Sequence, residues 1–170
     1  MPHLIIHTTM KKHLFFGLSF IAVLVTFVSC NMKAVMSPSI TPTATLIRTT
    51  AAGVRDTITY ADSLNVGDTV LMGAILNGYY DYITSFVAAS DEANVGVSII
   101  WQDSIINYLA EDADPEHGVL KFVPNRVYGC YVPIQYIPLH SGTYRIDLTV
   151  TSAAESHYSN QQKYFNIAVR

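Results

Sequence analysis

Apolar residues alternate with polar residues in two segments near the carboxyl terminus. They occupy every second position: Tyr144, Ile146, Leu148 and Val150 in the first segment, and Phe165, Ile167 and Val169 in the second. A strand with one face in a core and the other in water shows this period of two. Both segments are therefore predicted to be half-buried strands.

Residues 68–76 are apolar on both faces, which predicts a central strand. Shorter apolar runs predict further strands at 54–60, 82–89, 97–101, 119–123 and 127–132, with turns at pairs such as Asn77-Gly78 and Ser141-Gly142. Pro133 and Pro138 lack an amide hydrogen, so residues 134–137 are expected at an edge or in a loop. Residues 103–109 fit either a short helix or the second arm of a hairpin. The pattern predicts an all-β sandwich of about seven strands over residues 51–170.

The two ends of this predicted domain resemble immunoglobulin-like and PKD-like modules of bacterial surface proteins. The resemblance is carried by Gly67-Asp68-Thr69-Val70, by residues 140–150 (HSGTYRIDLTV) and by residues 164–169 (YFNIAV). In those modules a Gly-x-Tyr step opens the penultimate strand, and the tyrosine, here Tyr144, packs at a corner between the sheets. The resemblance implies an immunoglobulin-like fold and carries no activity with it.

The amino terminus has the three parts of a secretory signal. Lys11 and Lys12 precede fifteen mostly apolar residues, and a small residue, Ser29, then precedes Cys30. An uncleaved membrane anchor and ordinary secretion are the alternatives. Met10 is the expected true start, because the two lysines of a leader normally lie near its first residue.

Phe27-Val28-Ser29-Cys30 resembles a lipobox, the site at which signal peptidase II cuts and the cysteine is lipid-modified. The resemblance implies a helical signal peptide over 1–29 and a lipid on Cys30. It also implies attachment to the outer membrane, since Asn31 is not the aspartate that retains lipoproteins at the inner membrane in enteric bacteria. The face of the membrane stays open.

Residues 37–50 (SPSITPTATLIRTT) are rich in Ser, Thr and Pro, which predicts an extended tether over 30–50. A first strand that begins at Leu46 and Ile47 is the alternative for the end of this segment.

Charge narrows the range of partners. The chain has a formal net charge of −3, and the part after Cys30 holds eight basic against thirteen acidic residues, a formal net charge of −5. Nucleic-acid binding needs clustered Lys and Arg to neutralise phosphates, so this class is set aside.

Candidate chemistry is sparse. Tyr79, Tyr80, Tyr82 and Trp101 head an aromatic set that would suit stacking on sugars, or would fill the margins of the core. The acidic segment 111–117 lacks the complete spacing of a calcium loop and is interpreted as a solvated loop. Cys130 is expected to be a buried small residue rather than a nucleophile. No catalytic residue, metal site or cofactor is predicted.

These observations predict a non-enzymatic binding or structural module of the cell envelope. Its expected partners are the membrane, through the lipid on Cys30, and an envelope protein or a glycan. A glycan-binding surface lipoprotein that serves polysaccharide capture is the alternative.

Overall fold

The computed structural model describes residues 36–101, 109–154 and 158–170. The predicted signal peptide, the lipobox with Cys30 and the first residues of the predicted tether lie outside this part, and so do residues 103–108 of the undecided helix or hairpin arm. Within the described ranges, no helix has the length and hydropathy needed to cross a bilayer.

The described residues form strands and one short 3-10 helix, Pro115–His117. The strands are β1 (Ser39–Pro42), β2 (Leu46–Thr49), β3 (Arg55–Ile58), β4 (Ser63–Leu64), β5 (Thr69–Asn77), β6 (Ile83–Ser90), β7 (Val97–Ile99), β8 (Ala110–Asp114), β9 (Val119–Phe122), β10 (Gly129–Tyr136), β11 (Gly142–Ser152) and β12 (Asn160–Val169).

Two sheets divide these strands. The first sheet has the order β3-β2-β5-β10-β7, and β1 pairs with the second half of β5. The second sheet has the order β4-β12-β11-β6-β9-β8, in which only the short β4–β12 pair is parallel. The long β11–β12 ladder joins Gly142 opposite Val169 to Thr151 opposite Asn160.

One core lies between the sheets. The inward residues of the long strands are almost fully buried, among them Val70 and Leu76 of β5, Phe86 of β6, Ile134 of β10 and Leu148 of β11. At roughly 1.5–3 kcal/mol for each fully buried aliphatic or aromatic side chain, this layer supplies the main driving force for folding. The two facing sheets make the domain an all-β sandwich, as predicted.

The tyrosine of the predicted corner occupies the expected position. Tyr144 is half-buried at the start of β11, packs against the core, and donates a hydrogen bond from its hydroxyl to the carbonyl of Ser141 at 3.1 Å. Its ring lies over Gly142, where a Cβ would come within 2.9 Å of the tyrosine hydroxyl. This contact explains the Gly-x-Tyr step.

The folded body extends upstream of the predicted domain start at residue 51. Residues 39–42 pair with β5 at Ala74–Asn77, and residues 46–49 pair with β5 at Thr69–Leu71 and with β3. Residues 39–49 therefore belong to the first sheet, and the prediction that they form an extended tether is wrong. The count of about seven strands is also too low, because twelve strands lie within the described residues.

β10 corrects the prediction about Pro133. The strand continues through this proline to Tyr136 and lies between β5 and β7 rather than at an edge or in a loop. Pro133 faces Gly73, whose amide and carbonyl bond to Thr43 on the other side of β5. The backbone nitrogen of Pro133, which carries no hydrogen, consequently faces away from β5. It faces the side of β7, and that strand ends at Ile99, before it reaches Pro133.

Candidate functional site

Three of the four predicted ligand residues share one turn, and the fourth lies elsewhere. Tyr79 and Tyr80 are exposed in the turn between β5 and β6, and Tyr82 is half-buried at its end. Trp101 follows β7, where it packs edge-on against Phe122 with ring centroids 6.1 Å apart and donates from Nε1 to the carbonyl of Tyr131 at 3.2 Å. Trp101 is thus partly buried and packs against the edge of the hydrophobic core.

Local hydrogen bonds fix the tyrosine turn. The side-chain oxygen of Asn77 accepts from the amide of Tyr79 at 2.7 Å, and Tyr79 adopts a left-handed φ of 57°. The amide of Gly78 donates to the carbonyl of Tyr128 at 2.8 Å. This bond ties the turn before β10 to the turn after β5 and brings a third exposed tyrosine to the same place.

A third turn joins them at the same end of the sandwich. The amide of Ala153, just past β11, donates to the carbonyl of Tyr82 at 2.9 Å. Four tyrosines on these turns are 39–59% exposed: Tyr79, Tyr80, Tyr128 and Tyr158. We call this surface the tyrosine end. Tyrosine combines a large apolar ring with a polar tip, so such a surface suits an environment that is partly apolar and partly wet.

The outer face of the first sheet carries a second candidate, which we call the apolar groove. It is a depression of about 300 Å³ whose main lining residues are Ile47, Leu71, Gly73, Ile100, Tyr131 and Pro133. Gly73 forms its floor, and the Tyr131 ring lies across that glycine, 2.3 Å from the place of a Cβ. Ile100 and Tyr131 are 44% and 53% exposed, and Ile75 beside them is 51% exposed.

The outer face of the second sheet is polar by contrast. Arg145 pairs with Asp147 at 2.9 Å, Gln162 donates to the same carboxylate at 3.3 Å, and the guanidinium of Arg145 lies 5.7 Å from the centre of the Tyr164 ring. An outer sheet face in water normally looks like this. The apolar groove is therefore a feature of one face only.

A buried carboxylate organises the end of the sandwich opposite the tyrosines. Glu92 follows β6 and accepts hydrogen bonds from the Tyr136 hydroxyl, from the amides of Leu139 and His140 at 2.9 and 2.7 Å, and from His140 Nδ1 at 3.1 Å. Burial opposes its ionisation, but these donors outweigh burial and hold the pKa of Glu92 below its ordinary value. With exposed Asp91, Asp114 and Glu116 beside it, this region is the acidic end.

The remaining ionisable candidates have structural partners or little reactivity. Cys130 was expected to be buried, and the structure places it half-buried in β10. Burial raises the pKa of its thiol to about 12, which keeps it protonated. Exposed His117 bonds to the carboxylate of Asp114 at 2.8 Å, and that contact raises its pKa. Among the described residues, no group of three or more His, Cys, Asp or Glu side chains is placed to hold a metal ion.

The acidic segment forms an edge rather than a loop. Residues 110–114 are strand β8 at the border of the second sheet, and Asp112 pairs with Lys121 of β9 at 3.0 Å. Charges on an edge strand discourage pairing with another chain.

Comparison with known proteins identifies no family for the chain. No family model matches the chain, and no curated protein matches it. Among solved structures, the chain is similar to the ASH/PapD-like domain of human CEP192 (PapD-like domain 7), with 11% sequence identity and a TM-score of 0.31. The match covers 64% of this chain and 76% of that domain.

Proposed function

We propose that the protein is a non-enzymatic binding module of the bacterial cell envelope, held at the outer membrane by lipid on Cys30. The lysines, apolar run and terminal cysteine of the first thirty residues support the anchor. β1 begins at Ser39, only nine residues after Cys30. A lipid there would keep the sandwich close to the membrane surface.

The apolar groove is the observation that carries the binding role. Ile75, Ile100 and Tyr131 expose apolar surface side by side on one sheet face, whereas monomers usually keep exposed apolar patches small. The partner that fits is an apolar segment of another envelope protein, because the lining offers ring and aliphatic contacts with few polar groups. Gly73 lets the Tyr131 ring lie close against β5, and this ring forms part of the surface that such a segment would contact.

The ionisable groups support a role without catalysis. The carboxylate of Glu92 accepts four hydrogen bonds from within the protein, and the Cys130 thiol is protonated at physiological pH. A catalytic acid, base or nucleophile needs a free position and a pKa near the working pH. These groups stabilise the fold instead.

Site-specific photo-crosslinking in growing cells tests the binding role. A benzophenone amino acid in place of Tyr131 should yield a discrete larger adduct in the membrane fraction, and the same probe at Tyr164 on the polar face should yield none. Ile100→Lys, which puts a charge into the groove, should remove the Tyr131 adduct while the protein level stays unchanged. Equal adducts from both positions, or none from Tyr131, would refute the groove as a partner site.

Glycan binding is the second candidate function. The observation that favours it is the exposure of Tyr79 and Tyr80 on a single turn, at 42% and 59%. Stacking on a sugar requires that the rings stay accessible. Glycan binding therefore requires that the tyrosine end faces solvent and is not covered by the bilayer.

A further inference from the structure

The chain enters the sandwich at the tyrosine end. β1 runs antiparallel to β5 and starts with Ser39 opposite Asn77, the residue that opens the tyrosine turn. On the far side of β5, Asn77 faces Gly129, the neighbour of Tyr128. Ser39 is therefore on the same border of the sheet as the exposed rings.

The covalent chain limits how far this end can lie from Cys30. Ser39 is the ninth residue after Cys30, and an extended chain spans at most about 3.5 Å per residue, or roughly 30 Å in all. Met36, the first described residue, is 41% exposed and only six residues from Cys30. With lipid on Cys30, the chain joins the domain at the tyrosine end and keeps Ser39 within roughly 30 Å of the bilayer.

We infer that the tyrosine end is a membrane-contact surface, in which Tyr79, Tyr80 and Tyr128 enter the headgroup region beside the lipid on Cys30. The inference rests on the proposed lipid attachment. Tyrosine rings accumulate at this depth because the ring prefers the apolar side and the hydroxyl the wet side. Each contact is weak, but the anchor makes it intramolecular, so a small surface suffices.

The orientation has a consequence for the groove. The strands of both sheets run between the tyrosine end and the acidic end, so a docked tyrosine end sets the sandwich on the membrane with the acidic end pointing away. The apolar groove on the outer face of the first sheet then opens sideways. A partner in the same membrane would reach it without the domain having to turn over.

Fluorescence quenching by brominated phosphatidylcholine tests the inference on the full-length protein purified from membranes. Trp101→Phe removes the native tryptophan, and Tyr80→Trp then places a reporter at the tyrosine end. Tyr164→Trp is the matched control, because Tyr164 is 66% exposed against 59% for Tyr80 but lies midway along β12. Circular dichroism confirms that each variant is folded. In vesicles with brominated lipid, the reporter at residue 80 should lose roughly half of its emission and shift to the blue, while the reporter at 164 stays unquenched.

Flotation of the same vesicles reports the anchor separately. Protein that floats with vesicles while the reporter at residue 80 stays unquenched, or while both reporters are quenched equally, overturns the membrane-contact surface and leaves the anchor in place. Protein that does not float overturns both, since the surface depends on the lipid at Cys30.

Discussion

Replacement of Glu92 by alanine is expected to lower the free energy of unfolding by about 3–4 kcal/mol. The carboxylate bridges the two sheets, because Glu92 follows β6 of the second sheet and accepts from Tyr136 of β10 in the first. Alanine would leave the fully buried Tyr136 hydroxyl and the amides of Leu139 and His140 without their acceptor. Urea denaturation followed by Trp101 fluorescence measures the loss.

Two companion variants separate the hydrogen bonds from general effects. Glu116→Ala removes an exposed carboxylate at the same end and should change stability by less than about 0.5 kcal/mol. Glu92→Gln keeps an acceptor but not the charge and should cost about half as much as alanine. A loss for Glu92→Ala no larger than that for Glu116→Ala would contradict the bridging role.

The same carboxylate gives a pH signature. Because the folded protein holds the pKa of Glu92 below its ordinary value of 4.5, its contribution is complete above pH 4.5 and is lost as pH falls from there through the folded pKa. The stability difference between the wild type and Glu92→Gln should therefore be constant near neutrality and shrink in acid. A difference that grows in acid would show the opposite sign of the shift.

Gly118→Ala is expected to destabilise the domain by a similar amount, about 3–4 kcal/mol. Gly118 ends the 3-10 helix with a left-handed φ of 72°, and a Cβ there would lie 2.2 Å from the carbonyl oxygen of Ala88 and 2.7 Å from that of Val97. Ala88 belongs to the second sheet and Val97 to the first. The backbone would have to move where the two sheets meet, and urea denaturation should register it.

Gly53→Ala is the control, because this glycine has a left-handed backbone conformation but an added Cβ would meet no other atom. Gly53 has a φ of 81° in the β2–β3 turn, and no atom lies within 4 Å of its Cβ position. Alanine there should cost only the left-handed backbone, about 1 kcal/mol. Equal losses for the two glycines would show that the close approach at Gly118 is relieved without strain.

The strands that the sequence predicts best are those whose side chains alternate between core and water. Ile146, Leu148 and Val150 of β11 and Ile167 and Val169 of β12 are buried as predicted, because an alternating strand can satisfy its pattern in only one orientation. The predicted central strand over 68–76 is β5, between β2 and β10 over its first half.

The domain boundary could not be predicted in the same way. Residues 39–49 are rich in Thr and Pro and look like a spacer, but Leu46 and Ile40 reach the core and the backbone completes the ladder of β5. The amide of Ile40 is even satisfied by the side chain of Gln161, 121 residues away. Pairing of this kind depends on the partner strand and leaves no local pattern.

The candidate surfaces also differ in whether their residues are adjacent in the sequence or are brought together only by folding. The tyrosines of residues 79–82 were visible as a cluster because they are adjacent in sequence. The apolar groove assembles Ile47, Leu71, Ile100 and Tyr131 from four segments, so the sequence did not predict it. The two-sided apolar pattern of residues 68–76 predicted a central strand and no surface feature. No sequence pattern distinguishes Glu92 from the other acidic residues. Its role depends on hydrogen bonds from Tyr136 and from residues 139–140, which are more than forty residues away in the sequence.

Intact-mass and peptide mass spectrometry of the protein extracted from membranes tests the lipid attachment directly, with Cys30→Ala and Cys130→Ala as a matched pair. We expect the mature wild-type chain to begin at Cys30 with diacylglyceryl and amide-linked acyl groups. Cys130→Ala should keep this modification, and Cys30→Ala should lose it and leave the membrane fraction. A mature chain that retains the leader, or whose Cys30 carries no acyl group, would refute the lipid attachment.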